Sequence, residues 1–196
     1  MLNSLSQTQL QWLGAAVLVL IVLLIVGIVW YRRSRHYLKR FDKTLKTHAL
    51  GCYREIFIPD GVDGHIWVDC LIATDTGIWI LDIRDYEGDI FAAENIDEWT
   101  QLRQGKSLKF NNPLQQNALR ETAANLLIKN IPVRSLVVFG EQSRFPKNRP
   151  SGVVMMSELQ GVLTNAAYSR LDSNLMNDAW QALENTILEN QQQRVA

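Results

Sequence analysis

The sequence predicts an α+β fold, a mixed sheet flanked by helices in the manner of an α/β sandwich, preceded by one transmembrane helix. Three observations carry this. Every residue from Trp12 to Trp30 is apolar or glycine. Short segments rich in β-branched and aromatic residues follow one another from Cys52 to Gln101, separated by turn signals. A helix, a strand and two further helices then complete the chain, an order that places helices against a sheet.

Residues 1–11 form a short, largely polar N-terminus, and residues 12–30 the span. As a helix its 19 residues cover about 28 Å, against a hydrocarbon core of roughly 30 Å. Trp12, Trp30 and Tyr31 stand where interfacial aromatics belong. A cleaved signal peptide fits poorly, since no basic segment precedes the run and no small-residue cleavage site follows it. No Lys or Arg precedes the span, whereas Arg32, Arg33, Arg35, Lys39 and Arg40 follow it. The positive-inside rule therefore puts the N-terminus outside and the rest of the chain in the cytoplasm, with the inner (plasma) membrane as the expected location. In that reducing compartment no disulfide is expected between Cys52 and Cys70.

Residues 31–49 continue as a basic juxtamembrane helix, with Leu38, Phe41 and Leu45 as an apolar stripe. It either lies on anionic headgroups or is a stop-transfer flank that also packs on the domain. The main domain spans residues 50–165. Its strands are expected at Tyr53–Ile58, His65–Ala73, Gly77–Arg84, Asp89–Phe91 and Glu98–Gln101, as an antiparallel meander. Asn112-Pro113-Leu114-Gln115 opens a helix with a capping-box-like signature, and Leu119, Ala123, Leu126 and Leu127 form its apolar stripe. Val133–Phe139 is a central strand, Phe145–Gly152 a loop, and Ser157 caps a short helix to Leu163. Residues 166–190 hold a C-terminal helix packed through Met176, Ala179, Trp180, Leu183 and Ile187, and residues 191–196 are a tail.

The formal net charge is zero but unevenly spread. All twenty acids lie at or beyond Asp42, so the chain after residue 40 carries fifteen basic residues against twenty acids, net −5. From Asp60 to Glu98 there are eleven acids and one basic residue, Arg84. A surface that grips a polyanion is expected to be basic, so the composition does not support nucleic acid as a partner. Arg134, Arg144, Lys147 and Arg149 form the only basic cluster near a plausible site, and a solvated loop accounts for it. Neither cysteine lies in a C-x-x-C pair, and His36, His48 and His65 lack metal-ligand spacing.

The strand Gly77–Arg84 is the chemical focus. Alternation puts Ile78, Ile80, Asp82 and Arg84 on one face and Trp79, Leu81 and Ile83 on the other. An acid and a base on an otherwise apolar face are costly to bury unless paired or bound to an ion. The strand is thus either a chemical centre or a salt-bridged strand end. Trp67, Trp79 and Trp99 are expected in the core.

The ordered set Val68-Asp69-Cys70-Leu71-Ile72, Gly77 to Arg84, Glu87-Gly88-Asp89-Ile90, Trp99, Asn112-Pro113-Leu114-Gln115-Gln116 and Leu136 to Phe139 resembles the nuclease-related domain family over roughly residues 50–160. The resemblance implies a restriction-endonuclease-like fold. It also implies a site in which Asp69 and Asp82 hold Mg²⁺ or Mn²⁺, with Arg84 where the family usually has lysine and Gln116 beside it. Two carboxylates on neighbouring strands would supply hard oxygen ligands, and the metal would activate water for phosphodiester hydrolysis. The chain departs from that pattern. Asp82 replaces the usual glutamate, and Cys70 follows Asp69 where histidine is usual. No Gly-Glu pair precedes the first strand. Arg84 stays protonated and offers planar donors rather than a compact ammonium. The expectation is a single-pass membrane protein whose divergent cytosolic domain is a non-catalytic or weakly catalytic binding or assembly module. The alternative is an active Mg²⁺-dependent nuclease. Its partners are the lipid bilayer and an unidentified protein.

Overall fold

The computed structural model describes residues 12, 16–25, 27 and 41–195, with side chains up to residue 189. The chain divides into two units, Met1–Arg40 and Phe41–Ala196. In the first, the described residues are helical, and every side chain from Ala16 to Ile25 is exposed. Among the described residues no helix is long and apolar enough to cross a membrane. The remainder of the expected span, and the expected basic stretch up to Arg40, lie outside them.

The second unit begins with a helix at 41–48 (α1), in which Phe41 and Leu45 are buried as the stripe required. It then runs β1 (Gly51–Pro59), β2 (His65–Thr74), β3 (Gly77–Arg84), β4 (Gly88–Phe91), β5 (Glu98–Arg103), β6 (Lys106–Asn111), α2 (Pro113–Leu127), β7 (Val133–Phe139), β8 (Ser143–Arg144), β9 (Val153–Met155), α3 (Leu159–Leu163) and α4 (Ser173–Val195). The result is a mixed α+β fold with two mixed sheets flanked by helices. The expected single meander is corrected to two sheets. One has the order β1-β2-β3-β7-β9 and the other β6-β5-β4-β8. The split comes after Arg84, where Tyr86-Glu87 turns the chain out of the first sheet and Gly88, at φ +94°, starts the second.

β1, β2 and β3 pair antiparallel, and β7 joins β3 in parallel through the α2 crossover, with Asp82 opposite Val137 and Arg84 opposite Phe139. β3 is therefore the middle strand of five. The β2–β3 turn needs Gly77, whose φ is +138° and whose Cβ would meet the Pro132 carbonyl oxygen at 2.4 Å. On one face, Ile78 and Ile80 join Ala123 and Ala124 of α2 and Met176, Leu183 and Ile187 of α4 in one buried cluster. A second cluster of Ile90, Trp99, Val137, Phe139 and Val153 joins the two sheets.

Three further expectations are corrected. β6 was not anticipated because Lys106-Ser107-Leu108-Lys109 is polar and exposed, as an outer strand can be. β8 and β9 are too short to show a period of their own, and they flank the expected loop. The stripe expected on α2 is rotated: Leu119 and Leu126 are exposed, while Asn117, Arg120, Ala123 and Ala124 face the sheet. That rotation leads to the site.

A buried aspartate held by two arginines

Strand alternation sends Asp82 and Arg84 to the face of β3 that α2 covers. Asp82 is 1% exposed in the centre of the sheet. A lone carboxylate there would be prohibitively costly, and the structure supplies its counter-charges. Arg84 places Nε 2.7 Å from Asp82 Oδ1 and donates from an Nη2 2.8 Å from Oδ2. Arg120, projecting from α2, donates from Nη1 to Oδ2 at 2.9 Å. Oδ1 is fully buried and receives no well-directed hydrogen bond, so its contact with Arg84 Nε is an ion pair alone.

Each arginine is further fixed. Arg120 donates from Nε to the Trp67 carbonyl at 2.8 Å and from Nη1 to Asn117 Oδ1 at 2.8 Å. Arg84 donates to Gln116 Oε1 at 3.1 Å. Burial works against the Arg84 charge, but its bonds to Asp82 outweigh it and hold the guanidinium above its ordinary value. Gln116 and Arg120 are one helical turn apart and so point the same way. The start of α2 sets that register. Asn112 is buried, accepts from Leu114 N–H at 2.9 Å, and donates to the carbonyls of Glu94 and Ile96. The reciprocal half of the expected capping box does not form, because Gln115 donates to Asp97 instead.

Asp69 lies beside this cluster on β2. Its Oδ1 accepts from Trp67 Nε1 at 2.6 Å and its Oδ2 from Ile83 N–H at 3.1 Å. Burial, and then the neighbouring Asp82 charge, raise its carboxyl above the usual range. The structure thus brings together all four residues expected from sequence: Asp69, Asp82, Arg84 and Gln116. It adds Arg120, Asn117 and Trp67, which sequence reasoning missed. The Gln116–Arg120 spacing is the signal that would have found Arg120. Trp67 is 37% exposed rather than core, whereas Trp79 and Trp99 are buried.

The donor set does not fit a divalent cation. Asp82 already faces two guanidinium groups, and each oxygen of Asp82 and Asp69 has a nitrogen against it. A cation at Asp82 Oδ1 would sit against Arg84 Nε. Among the described residues no three His, Cys, Asp or Glu side chains gather in a way that could hold a metal ion. His65, opposite Pro59 at the start of β2, is exposed. The arginines of the expected basic cluster are engaged separately: Arg144 with Asp89 at 2.7 Å, Arg149 with Glu158 at 2.8 Å, and Arg134 over the rings of Tyr168 and Trp79. A cavity of about 710 Å³, bordered by His48, Asp75, Tyr168 and Arg170, lies apart from Asp69 and Asp82, neither of which lines it.

An uncharacterized protein of Bacillus anthracis is 28% identical over 126 residues, which are 62% of this chain and 58% of the relative. The match therefore spans somewhat more than half the length of that protein. No solved structure is significantly similar to the chain. The model of the nuclease-related domain, NERD, matches residues 29–140, more than half of the sequence and all of the Asp69, Asp82, Arg84, Gln116 and Arg120 cluster, and the chain belongs to that family.

Proposed function

We propose that this chain is a membrane-tethered nuclease-related domain whose site binds or assembles rather than cleaves. The observation that carries the reading is Asp82, buried and ion-paired with both Arg84 and Arg120. A guanidinium neutralises a carboxylate without offering a place for water to be ionised, so the cluster performs the structural part of a metal site and none of its chemistry. The acid-rich stretch from Asp60 to Glu98 weighs against a polyanionic substrate. The tether is residues 12–30, with the N-terminus outside and the domain on the cytoplasmic side of the plasma membrane. Its support is the apolar run and the flanking arginines, together with a described helix whose apolar side chains from Val17 to Ile25 are all exposed. The partner of such a module is a protein at the membrane.

The test is cleavage of labelled single- and double-stranded DNA and RNA by the full chain in detergent micelles, with Mg²⁺ or Mn²⁺. The expected result is no cleavage above the Asp82→Asn variant. One observation favours the second reading, a Mg²⁺-dependent nuclease: Asp82 Oδ1 is buried without a well-directed hydrogen bond, and Asp69 stands within its electrostatic reach. Metal-dependent cleavage lost in both Asp69→Asn and Asp82→Asn would establish that reading instead.

A further inference from the structure

On the first sheet, away from Asp82, two sulfurs meet. Cys52 on β1 pairs with Ile72, and Cys70 on β2 pairs with Arg54. The two cysteines are thus diagonal neighbours on one face of an antiparallel ladder. Their sulfurs are 3.8 Å apart, in contact, and both are free thiols. Cys52 is exposed and Cys70 buried. In front of Cys52 lies a cavity of about 250 Å³ bordered by Asp42, Leu45, Lys46 and Arg54. Arg54 pairs with Asp42 at 3.0 Å and stacks over Phe41, so a cation is held close to the Cys52 sulfur.

We propose that Cys52 and Cys70 form a peroxide-sensitive dithiol, in which Cys52 is oxidised first and Cys70 closes a reversible disulfide across β1 and β2. Access decides the order, because Cys52 lines the cavity and is exposed while Cys70 is fully buried. The environment agrees: the bond from Cys70, more than the Arg54 charge, lowers the Cys52 thiol from its ordinary value to about 7. The Cys52 sulfur attacks one peroxide oxygen and the O–O bond breaks. This gives a sulfenic acid and hydroxide, which takes up the proton Cys52 lost to solvent. The Cys70 sulfur then attacks the sulfenic sulfur. An S–S bond forms, and the departing hydroxide leaves as water with the Cys70 proton. Two thiols are oxidised to a disulfide while one hydrogen peroxide is reduced to two waters. A thiol reductant such as glutathione reverses the bond.

The closure needs the sulfurs to approach from 3.8 Å to about 2 Å. Beside Cys70 the ladder is locally irregular: Glu55 adopts φ +54°, and the pairing passes from Arg54–Cys70 to Ile56–Val68 without a pair at Glu55. Disulfides of this transient kind are the ones expected in a reducing compartment.

The experiment is peptide mapping of the full chain in detergent micelles, reduced, exposed to hydrogen peroxide and quenched with N-ethylmaleimide. The expected product is a Cys52–Cys70 cross-linked peptide that dithiothreitol returns to two thiols. In Cys70→Ser, Cys52 is expected to take up dimedone as a sulfenic acid. In the reduced protein, iodoacetamide is expected to modify Cys52 roughly ten-fold faster than Cys70. The wild-type map stands even if a variant fails to fold. Sulfinic acid at Cys52 without the cross-link, a cross-link between two chains, or two unreacted thiols would each overturn the proposal.

Discussion

Arg120 donates to the Trp67 carbonyl and to Asp82 Oδ2 with two nitrogens of one guanidinium, 2.8 and 2.9 Å away. One helical side chain thereby ties β2 to β3 and neutralises the buried acid between them. Removing it is expected to cost more than a surface pair would. Arg120→Ala leaves Asp82 with Arg84 alone and should destabilise the domain by about 3–5 kcal/mol in chemical denaturation. Combined with Asp82→Ala, the loss should fall short of the sum of the two single changes by about 1–3 kcal/mol. An additive result would mean that the two residues do not act together.

Asp69 has the opposite sign. Its carboxyl is raised by burial and by Asp82, so the folded protein holds this proton more tightly than the unfolded chain does. The contribution is favourable below the ordinary aspartate range and is lost as pH rises through the raised folded value. Asp69→Asn, which carries no charge, should therefore gain stability relative to wild type as pH rises through that window. Urea denaturation at a series of pH values from acid to neutral reads the difference. A wild type that instead gains on the variant would mean that the Asp69 charge is stabilised.

Tyr53 on β1 donates to Glu184 Oε1 of α4, and that bond, ahead of burial, raises its hydroxyl to about 12. A raised folded value means that the contribution is intact below the ordinary tyrosine range near 10 and disappears as pH climbs towards 12. Absorbance titration of tyrosinate should show one late-titrating tyrosine that is absent in Tyr53→Phe and returns to the ordinary range in Glu184→Gln.

Two glycines are expected to resist substitution for different reasons. A Cβ on Gly51 would meet the Trp180 ring at 2.4 Å, so Gly51→Ala should displace that ring from its stack on Tyr53 and cost about 1–3 kcal/mol. The loss should appear in near-ultraviolet dichroism. A Cβ on Gly77 would meet backbone, the Pro132 carbonyl, at a φ of +138°, where nothing flexible can yield. Gly77→Ala should be the more damaging in a thermal melt.

The proposed tether carries its own prediction. The full chain should remain with membranes through alkaline carbonate extraction, and Val22→Lys, which puts a charge at the middle of the apolar run, should release a large fraction. A lysine there costs roughly 3 kcal/mol on insertion scales. Retention of the variant would mean that residues 12–30 are not what holds the chain.

The two central strands of the first sheet, β3 and β7, were legible because they are largely buried apolar runs bounded by turns. Gly77–Arg84 and Val133–Phe139 have the limits their apolar runs suggested. Asp82 and Arg84 were legible from strand alternation, whereas Asp69 and Gln116 came only with the resemblance to the nuclease-related domain family. Arg120 was not legible, because the apolar residues Leu119, Ala123, Leu126 and Leu127 mark a different face of α2. Leu119 and Leu126 suggested the wrong face, and the buried charge of Asp82 decided the right one. β6 escaped because an exposed strand, held by hydrogen bonds to β5 and by Phe110, carries little apolar signal. The 3.8 Å approach of Cys52 to Cys70 needed the β1–β2 register, which eighteen residues of separation do not reveal.

The most direct test of the central claim, that Arg84 and Arg120 occupy the place of a metal at Asp82, is calorimetric titration of Mg²⁺ and Mn²⁺ into the full chain in detergent micelles, beside Asp82→Asn and Asp69→Asn. The arginine-filled site predicts no saturable heat at millimolar metal and no difference among the three proteins. Saturable binding to the wild type that both substitutions abolish would contradict it.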